Sequence, residues 1–469
     1  MKWKQSLMGV VSWVFSFETI FVLYLFAGFY KSDPRLAFIP VDLTLFFFLF
    51  SLIVGAWILW KKRFRMSENV LVTVFLMGLF SGWMLISLLW APRAQYGITK
   101  TVQFVALNGW ALAGAAMVFD GNKARLRKFY VLLIFLAVVF SFEAYRLYFQ
   151  ELNFLGKKVF GSNYQSLGRL IGLSFVVATG FYLIRNTVSW KRWLYGGIVL
   201  FLFFVMLFIG ARGPFIATMV ASGFIVLFSK ELWQRKLVWG VGLVVIFLVG
   251  SWALGPSMRT IYRVNVALVH TVGLEIPMEG AYFNIRHGES NVDGADGSSS
   301  QRAGSDVAND SSSQHSGSDA ANDSSSQHSG PTFKDPKQAS NKSFDLREQY
   351  FRNAINLWRS YPIFGAGSGA FAYFFPKGTF RVYPHNIVLE ALSELGIVGL
   401  GLLLLLMLAS FRGFFQQHAW RYPLHLVAMG VFLYTLLNAM ISGDLTSNRH
   451  LFLAIGLIAA TAQLQEDET

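Results

Sequence analysis

Cysteine is absent from the 469-residue chain, and charged residues are scarce. The absence of cysteine excludes disulfide bonds, thiolate catalysis and cysteine-ligated metals. Asp, Glu, Lys and Arg supply 14% of the residues, whereas an ordinary soluble domain has about 25%. Apolar types supply 54%, with 46 Phe among them, and the mean hydropathy is +0.47. This balance excludes a soluble globular domain and predicts an integral membrane protein.

Acidic residues are fewer than basic residues, 26 against 40, which leaves a formal net charge of +14. Most basic residues stand in short loops beside apolar segments. In such loops they orient helices and contact anionic membrane lipids, so we predict membrane lipids and no nucleic acid as partners. The sequence also has no Asp-x-Asp, histidine cluster or carboxylate set with metal-site spacing. We therefore expect no metal and no cofactor.

Long apolar runs are what the chain has in quantity. A transmembrane helix needs about 20 apolar residues. We identify about twelve such segments, near residues 8–28, 38–60, 70–90, 101–118, 128–148, 166–184, 193–210, 214–229, 236–254, 385–410, 424–442 and 450–464. The predicted fold is all-α and polytopic, with helices 1–9 in residues 1–254, one large loop in 255–384, and helices 10–12 in 385–469.

Basic residues separate the loops into two sets. The basic loops contain residues 61–65, 123–128, 191–192, 230–236, and Arg412 with Arg421. The positive-inside rule makes this side cytoplasmic and places both termini there. The opposite, external face then holds the turn at Gly210, the loop 255–384 and residues 442–450.

The large external loop divides into three parts. Residues 256–282 have the pattern of a juxtamembrane helix. Residues 288–343 are rich in Ser, Gly, Asp and Asn and contain a tandem repeat, GSDVANDSSSQHS followed by GSDAANDSSSQHS. Such a tract cannot bury enough apolar surface to offset its ordering entropy, so we predict disorder.

The third part predicts an amphipathic helix over residues 345–361. Asp345 and Glu348 have capping-box spacing, and Pro362 ends the run. Its apolar residues recur at helical intervals: Leu346, Tyr350, Leu357, Trp358 and Tyr361. Gly365, Gly367 and Gly369 follow without a preceding strand, so they are no dinucleotide fingerprint. A hinge is the favoured interpretation, and a phosphate cradle of backbone amides is the alternative.

The order of motifs in this region resembles the O-antigen ligase and O-antigen polymerase family of bacterial membrane glycosyltransferases. The matching elements are Arg347, Pro362-Ile-Phe-Gly365-Ala-Gly367, His385-Asn386, Glu394 and Gly396-Ile-Val-Gly399. A second match is Gly210-Ala-Arg212-Gly213, where the family usually has a Ser-Arg-Gly-like turn. One departure is that Tyr350 or Phe351 stands where the family often has Trp after the helix arginine.

The resemblance implies a GT-C-like helical fold and an inverting, metal-independent transfer of a glycan from a polyprenyl (undecaprenyl-type) diphosphate. The site would lie on the periplasmic face of the bacterial inner membrane. His385 would be the general base, since histidine can take a proton near neutral pH. Arg212 and Arg347 would hold the diphosphate through bidentate contacts. From position alone, His385 could instead cap a helix and the arginines could reach lipid headgroups.

Six further polar residues are candidates for supporting roles. Arg449 and Asp444, in the last external loop, could pair with each other or complete the site, with Arg449 as a third diphosphate ligand. Lys100 and Arg169 lie on or near the external face against the positive-inside trend, which indicates an anionic ligand. Asn386 follows His385 in the motif. Glu394, like Glu390, lies inside an apolar segment, where a charge must be paired or face water.

The acceptor stays open at the level of the sequence. An acceptor hydroxyl on lipid A core sugar would make the protein an O-antigen ligase, and a second lipid-linked repeat unit would make it a polymerase. A chain-length regulator is then a further candidate partner. A polysaccharide transporter or flippase is the alternative from another class, since about twelve spans are equally typical of it. A transporter would place its polar residues near mid-membrane in discontinuous helices, whereas here they gather at one rim.

Overall fold

A computed structural model describes residues 15–92, 94–150, 158–184, 189–230, 232–254, 336–375, 382–416 and 423–464. Within these ranges the chain is almost entirely helical. The only extended pairing there is an isolated bridge between Val159 and Ser162. The predicted all-α fold is therefore confirmed.

The helices follow the apolar runs of the sequence. In chain order they are α1 (Phe17–Tyr30), α2 (Leu43–Lys61), α3 (Glu68–Ser87), α4 (Ala94–Gln103), α5 (Gly109–Phe119), α6 (Lys123–Gln150), α7 (Tyr164–Leu183), α8 (Ser189–Ile209), α9 (Arg212–Phe228), α10 (Trp233–Leu254), α11 (Pro336–Ser360), α12 (Ala370–Phe374), α13 (Ile387–Ser410), α14 (Arg412–Gln416), α15 (Pro423–Ile441) and α16 (Arg449–Thr461). A short 3₁₀ turn, Pro34–Leu36, precedes α2, and a π-helical segment, Phe104–Asn108, joins α4 to α5.

Among the described residues, eight helices are long and apolar enough to cross a membrane. They are α2, α3, the α4–α5 unit as Gln95–Phe119, α6, α7, α8, α13 and α15. The apolar helices α1, α9 and α16 are shorter, at 10–17 residues. Each of the twelve predicted segments contains a helix, but the predicted number of spanning helices, about twelve, is not confirmed.

Polar residues at the helix starts explain where several of these helices begin. The side chains of Ser16, Asp42, Ser67, Asn163 and Asn386 each accept a hydrogen bond from a backbone N–H of the first turn. These donors have no partner inside the helix, so the caps satisfy them. The apolar runs therefore become helices of defined length.

The helices pack into one bundle around an aromatic-rich core. The closest neighbours are α5 with α16, α7 with α8, α3 with α13, α1 with α2, and α9 with both α7 and α15. Phe21, Phe80, Phe104, Phe175 and Phe208 are among the fully buried side chains. Because lipid tails are as apolar as these side chains, close packing rather than water exclusion holds such helices together.

One end of the bundle gathers the loops predicted to be basic. There the Ser67 N–H and hydroxyl donate to Asp120 at 2.7 and 3.0 Å, and Arg125 pairs with Glu18 at 2.7 Å. At the same end Asn69 Nδ2 donates to the carbonyls of Ser410 and Ala459 at 3.2 and 3.3 Å. The described residues of the predicted external face lie at the other end.

The large loop departs from the prediction where it re-enters the described chain. Helix α11 begins at Pro336, so Asp345 lies inside the helix and the predicted start there is wrong. Glu348 pairs with Arg352 at 2.6 Å on an exposed face. Residues 336–343 are helical, which shortens the tract predicted to be disordered. The rest of that tract and the predicted helix 256–282 lie outside the described residues.

Candidate functional site

Helix α13 is broken at Gly396, a residue of the predicted Gly-x-x-Gly motif. Its backbone has φ 70° and ψ −169°, far from helical values. This conformation is open to glycine and strained for other residues. The break frees backbone carbonyl and N–H groups that a continuous helix would pair, and buried groups of this kind need other partners.

The turn at 362–367 supplies those partners. Four backbone hydrogen bonds join the two segments: Ala366 N to Ser393 O (3.0 Å), Gly367 N to Glu394 O (2.8 Å), Ile397 N to Pro362 O (3.0 Å) and Val398 N to Ile363 O (3.2 Å). Trp83 Nε1 donates to the Leu395 carbonyl at 3.0 Å and caps the break from α3. The motif glycines therefore allow the turn 362–367 to form hydrogen bonds with the broken part of helix α13.

The backbone amides of the glycine turn are all engaged within the protein. Besides the bonds to α13, Ser368 N donates to Ser87 Oγ at 3.2 Å, and Gly369 N donates to Glu394 Oε2 at 2.8 Å. A Cβ at Gly365 would lie 2.4 Å from the Glu394 carbonyl, so only glycine fits. The alternative of a phosphate cradle is wrong, and the turn is a packed joint rather than a free hinge.

Lys100 lies between two carboxylates in the buried interior. Its Nζ is 2.5 Å from Glu390 Oε1 and 2.6 Å from Glu394 Oε2, and the three side chains are 3%, 0% and 2% exposed. Glu390 also accepts from Leu445 N at 2.9 Å. The anionic partners of Lys100 are therefore Glu390 and Glu394, which tie α4 to α13 and to the loop before α16.

The loop between α15 and α16 carries Asp444. Its carboxylate accepts from Ser447 N at 2.7 Å and from the Thr446 hydroxyl at 2.8 Å. Burial would raise the pKa of Asp444, but the charge of Lys100 and the bonds from Ser447 and Thr446 outweigh it, so the pKa is lowered. A charged carboxylate thus stays beside the predicted site.

His385 occupies an unusual backbone position just before α13. Its φ is 60°, in the left-handed region that non-glycine residues rarely adopt. Asn386 follows as the N-cap: its Oδ1 accepts from Val388 N and Leu389 N, each at 3.0 Å, and its Nδ2 donates to Met440 O at 3.1 Å. The strained histidine backbone is therefore held by the helix start and by the end of α15.

The His385 imidazole lies between two tyrosine rings. The centroid of Tyr383 is 4.4 Å away and that of Tyr350 is 5.9 Å away. Burial and the nearby charges of Arg347 and Arg169 lower the pKa of His385 to about 4, against a smaller opposing effect of Asp444. The imidazole is therefore neutral at pH 7.

Arg347 and Arg169 approach His385 from two different elements. Arg347 is on α11, and Arg169 is on the first turns of α7. The charges of both also act on Tyr383. The Tyr434 hydroxyl donates to the Arg169 carbonyl at 2.9 Å and holds α7 against α15. The structure thus brings His385, Arg347, Arg169 and Asp444 into one neighbourhood.

Arg212 begins α9 at the same end of the bundle. A Cβ built on the adjacent Gly213 would lie 3.5 Å from Ile441 in the last turn of α15. Asn386 bonds the preceding residue, Met440. The turns that carry Arg212 and His385 therefore flank the same end of α15.

Arg449 is directed away from Asp444. Its Nη1 donates to the Tyr24 carbonyl at 3.1 Å, and its guanidinium carbon lies 5.0 Å from the Tyr24 ring centroid. Since Asp444 is bonded within its own turn, the predicted pairing of these two residues is wrong. Arg449 ties α16 to α1.

Three features of this end were not predicted as parts of the site. Tyr350 was predicted as an apolar helix residue and as one of two aromatics in the place of the family's Trp, but not as a neighbour of His385, and Tyr383 was not singled out. A small cavity of about 20 Å³ lies between α7, α15 and α16, and its lining includes Arg169, Tyr434, Asn438, Asn448 and His450. The sequence offered one signal for this cavity: His450 follows Arg449 at a helix start on the predicted external side.

Carboxylates and histidines do not converge on a metal position in the described ranges, where no group of three such residues has suitable geometry. The predicted independence from metal stays a prediction.

Comparison with known proteins gives a family match for the region that contains most of these residues. The sequence model of the family described as O-Antigen ligase matches residues 197–404. This range includes Arg212, Arg347, the glycine turn, His385 and Glu394. The predicted family resemblance is confirmed. A search of curated proteins found no match.

Proposed function

Because the chain matches the O-antigen ligase family over residues 197–404, we propose that it transfers a glycan from an undecaprenyl-type diphosphate to an acceptor hydroxyl. The reaction would take place on the periplasmic face of the bacterial inner membrane. The observation that carries this proposal is the convergence of one neutral imidazole, His385, with the charges of Arg347 and Arg169. A glycosyl transfer from a lipid diphosphate needs both kinds of group.

His385 serves as the general base in this proposal. It takes the proton of the acceptor hydroxyl while the oxygen attacks the anomeric carbon. The bond from that carbon to the diphosphate oxygen breaks, and the lipid diphosphate leaves with the bonding electrons. Attack opposite the leaving group inverts the anomeric centre. His385 is suited to this step because it is uncharged at neutral pH.

The arginines stabilise the departing diphosphate. Arg347 and Arg212 hold its oxygens, and Arg169 adds a third positive charge near the imidazole. A guanidinium keeps its charge at any working pH and can bind two phosphate oxygens at once. Charge stabilisation of this kind replaces a metal ion. Arg449 stands farther back in this arrangement, where it braces α16 against α1.

Donor binding also improves the base. Burial, together with the charges of Arg347 and Arg169, lowers the pKa of His385 to about 4, whereas a general base works best with a pKa near the operating pH. A bound diphosphate offsets the arginine charges and raises the proton affinity of His385. The base therefore becomes effective when the donor is in place.

Asn386, Asp444, Lys100 and Glu394 support the site rather than touch the substrate. Asn386 caps α13 directly behind His385. In the buried Lys100–Glu390–Glu394 cluster, Glu394 accepts from the backbone N–H of Gly369, just before α12. Glu390 accepts from the backbone N–H of Leu445, the residue after Asp444. Asp444 supplies the negative charge that partly balances Arg347 and Arg169.

A transporter remains the alternative from another class, and the break at Gly396 bears on it. Transporters use broken helices whose free backbone groups bind substrate. Here four backbone hydrogen bonds from the turn 362–367 occupy the break. Its groups are therefore not available to a transported substrate, which favours transfer over transport.

The test is a purified reaction with lipid-diphosphate glycan and two rival acceptors, core lipid and a second lipid-linked repeat unit. Transfer to core lipid identifies a ligase, and elongation of the repeat identifies a polymerase. His385→Ala should lower the transfer rate about 10²–10⁴-fold. His315→Ala, in the Ser-rich repeat, is the matched control and should keep the rate.

Normal membrane insertion of both variants is verified by detergent extraction and monodisperse gel filtration. Transfer by His385→Ala at the rate of the unaltered protein would remove His385 as the base. Absence of transfer to any hydroxyl acceptor, with glycan movement across vesicles instead, would replace the enzyme by a transporter.

A further inference from the structure

The described residues supply His385 Nδ1 with no hydrogen bond of the kind that usually orients a catalytic histidine. In most such sites one ring nitrogen donates to a carboxylate or a carbonyl, which fixes the tautomer and the ring plane. His385 Nδ1 is enclosed and has no hydrogen-bond partner in the described part of the chain. The carboxylate of Asp444 is bonded to Ser447 and Thr446 instead. The contacts that the structure does give the imidazole are with aromatic rings.

Two tyrosine rings make these contacts. Tyr350 stacks on the imidazole with an interplanar angle of 23° and a centroid distance of 5.9 Å. Tyr383 contacts it at 4.4 Å with an angle of 52°. Ring pairs at such distances attract each other in addition to the effect of the area they bury. The two contacts together restrict rotation of the imidazole.

The two tyrosines are themselves held by separate elements. Tyr350 is 7% exposed on α11 and packs edge-on against Phe371 of α12, at 6.2 Å and 81°. Tyr383 belongs to the segment that enters α13, next to the buried Val382. His385, with its left-handed backbone, follows in that segment, and its ring contacts Tyr350 of α11. The ring contacts thus join α11 to the segment that enters α13.

We propose that Tyr350 and Tyr383 are positioning residues that hold the His385 imidazole, by ring contact, in the orientation for proton transfer. This inference rests on the proposed function, because the orientation matters only if His385 is the base. It assigns the positioning of the imidazole to the aromatic rings of the two tyrosines and not to their phenolic hydroxyls.

The experiment compares ring removal with hydroxyl removal in the full-length protein. The variants are Tyr350→Leu and Tyr383→Leu, which lose the ring, and Tyr350→Phe and Tyr383→Phe, which keep it. Tyr361→Leu is the matched control, since Tyr361 directly follows α11 and is 45% exposed. Donor KM, kcat and the pH profile of transfer are measured for each.

We expect kcat to fall about 10–100-fold in both Leu variants, because small misplacement of a catalytic group has costs of this order. The donor KM should stay within about twofold, since the arginines are unchanged. Both Phe variants and Tyr361→Leu should keep kcat. Equal losses in the Phe and Leu variants would assign the role to the hydroxyls and overturn the proposal.

A second measurement does not depend on activity. Diethyl pyrocarbonate modifies accessible imidazoles, and peptide mass spectrometry separates His385 from the other seven of the eight histidines. The Leu variants should label several-fold faster at His385, and the Phe variants at the rate of the unaltered protein. Unchanged labelling and unchanged kcat in the Leu variants, with His385→Ala inactive, would overturn the tyrosine role alone. An active His385→Ala would overturn the base assignment itself.

Discussion

The charge state of one residue, His385, is set by its neighbours rather than by its own chemistry. Burial and the charges of Arg347 and Arg169 disfavour the imidazolium, and the single carboxylate of Asp444 only partly compensates. These four residues come from α7, α11, the segment before α13 and the loop before α16. No local sequence pattern contains them, so a pKa of about 4 could not be predicted from the motif alone.

Replacement of one of these arginines tests this electrostatic arrangement. Arg347→Gln removes a positive charge, which favours the protonated imidazole and raises the pKa of His385 above about 4. The acid limb of kcat/KM, which reports the free enzyme, should therefore move to higher pH. The variant should also have a higher donor KM. Arg359→Gln, at the exposed end of the same helix, is the control.

The pH profile must be read within the stable range. Because the folded-state pKa of His385 lies below the ordinary histidine pKa of 6.5, the unfolded chain binds the proton more strongly, and stability falls as the pH drops from 6.5 toward 4. Rates are therefore measured well below the unfolding temperature at each pH. An acid limb that stays in place in Arg347→Gln would show that this arginine does not act on the base.

At the scale of elements, α13 and the turn 362–367 depend on each other. The break at Gly396 leaves backbone groups of α13 without partners inside the helix. The turn likewise has backbone N–H and carbonyl groups without partners inside the turn. Their four hydrogen bonds satisfy both. The motif spacing from Pro362 to Gly399 thus describes one joint between two separate segments.

Gly396→Ala should weaken this joint. An alanine at φ 70° is strained by about 1–3 kcal/mol, and its Cβ would lie 2.2 Å from the Ile363 carbonyl oxygen. We expect a lower thermal midpoint in detergent and a loss of transfer. Gly401→Ala is the matched control, because a Cβ there meets nothing within 4 Å of it. A midpoint equal to that of the control would contradict the joint.

The sequence predicted the parts of this element better than their connection. Hydropathy located α13, and the glycine spacing located the turn. The break within α13 was not predicted, because a run such as Leu-Gly-Ile-Val-Gly-Leu remains apolar whether or not the helix is continuous. The start of α11 was placed too late because the capping-box spacing of Asp345 and Glu348 also fits a helix interior.

At the scale of the whole molecule, charge sorts the two ends of the bundle. Basic loops gather at one end, and the predicted site residues gather at the other. Alternation of charge along the sequence predicted this separation correctly for the described residues. The partner of Lys100 was not predicted, since Glu394 is 294 positions away. Contacts at that separation arise only when α4 packs against α13.

The buried Lys100–Glu390–Glu394 cluster links distant parts of the chain. Lys100→Met leaves two enclosed carboxylates without their cation, and removal of one partner from a buried ion pair has a cost of about 3–5 kcal/mol. The thermal midpoint should therefore fall steeply. Lys31→Met is the control, since Lys31 and Asp42 form a pair that is 40% and 48% exposed, and such pairs contribute about 0–1 kcal/mol.

A compensated variant separates charge from packing. In Lys100→Met combined with Glu390→Gln and Glu394→Gln, the amide oxygens can still accept from Leu445 and Gly369. We expect most of the lost stability to return, because no buried charge is left unpaired. Transfer should return with it if the cluster only braces the loops around His385. Restored stability without transfer would instead show that the charge of Lys100 itself acts on the site, through Asp444.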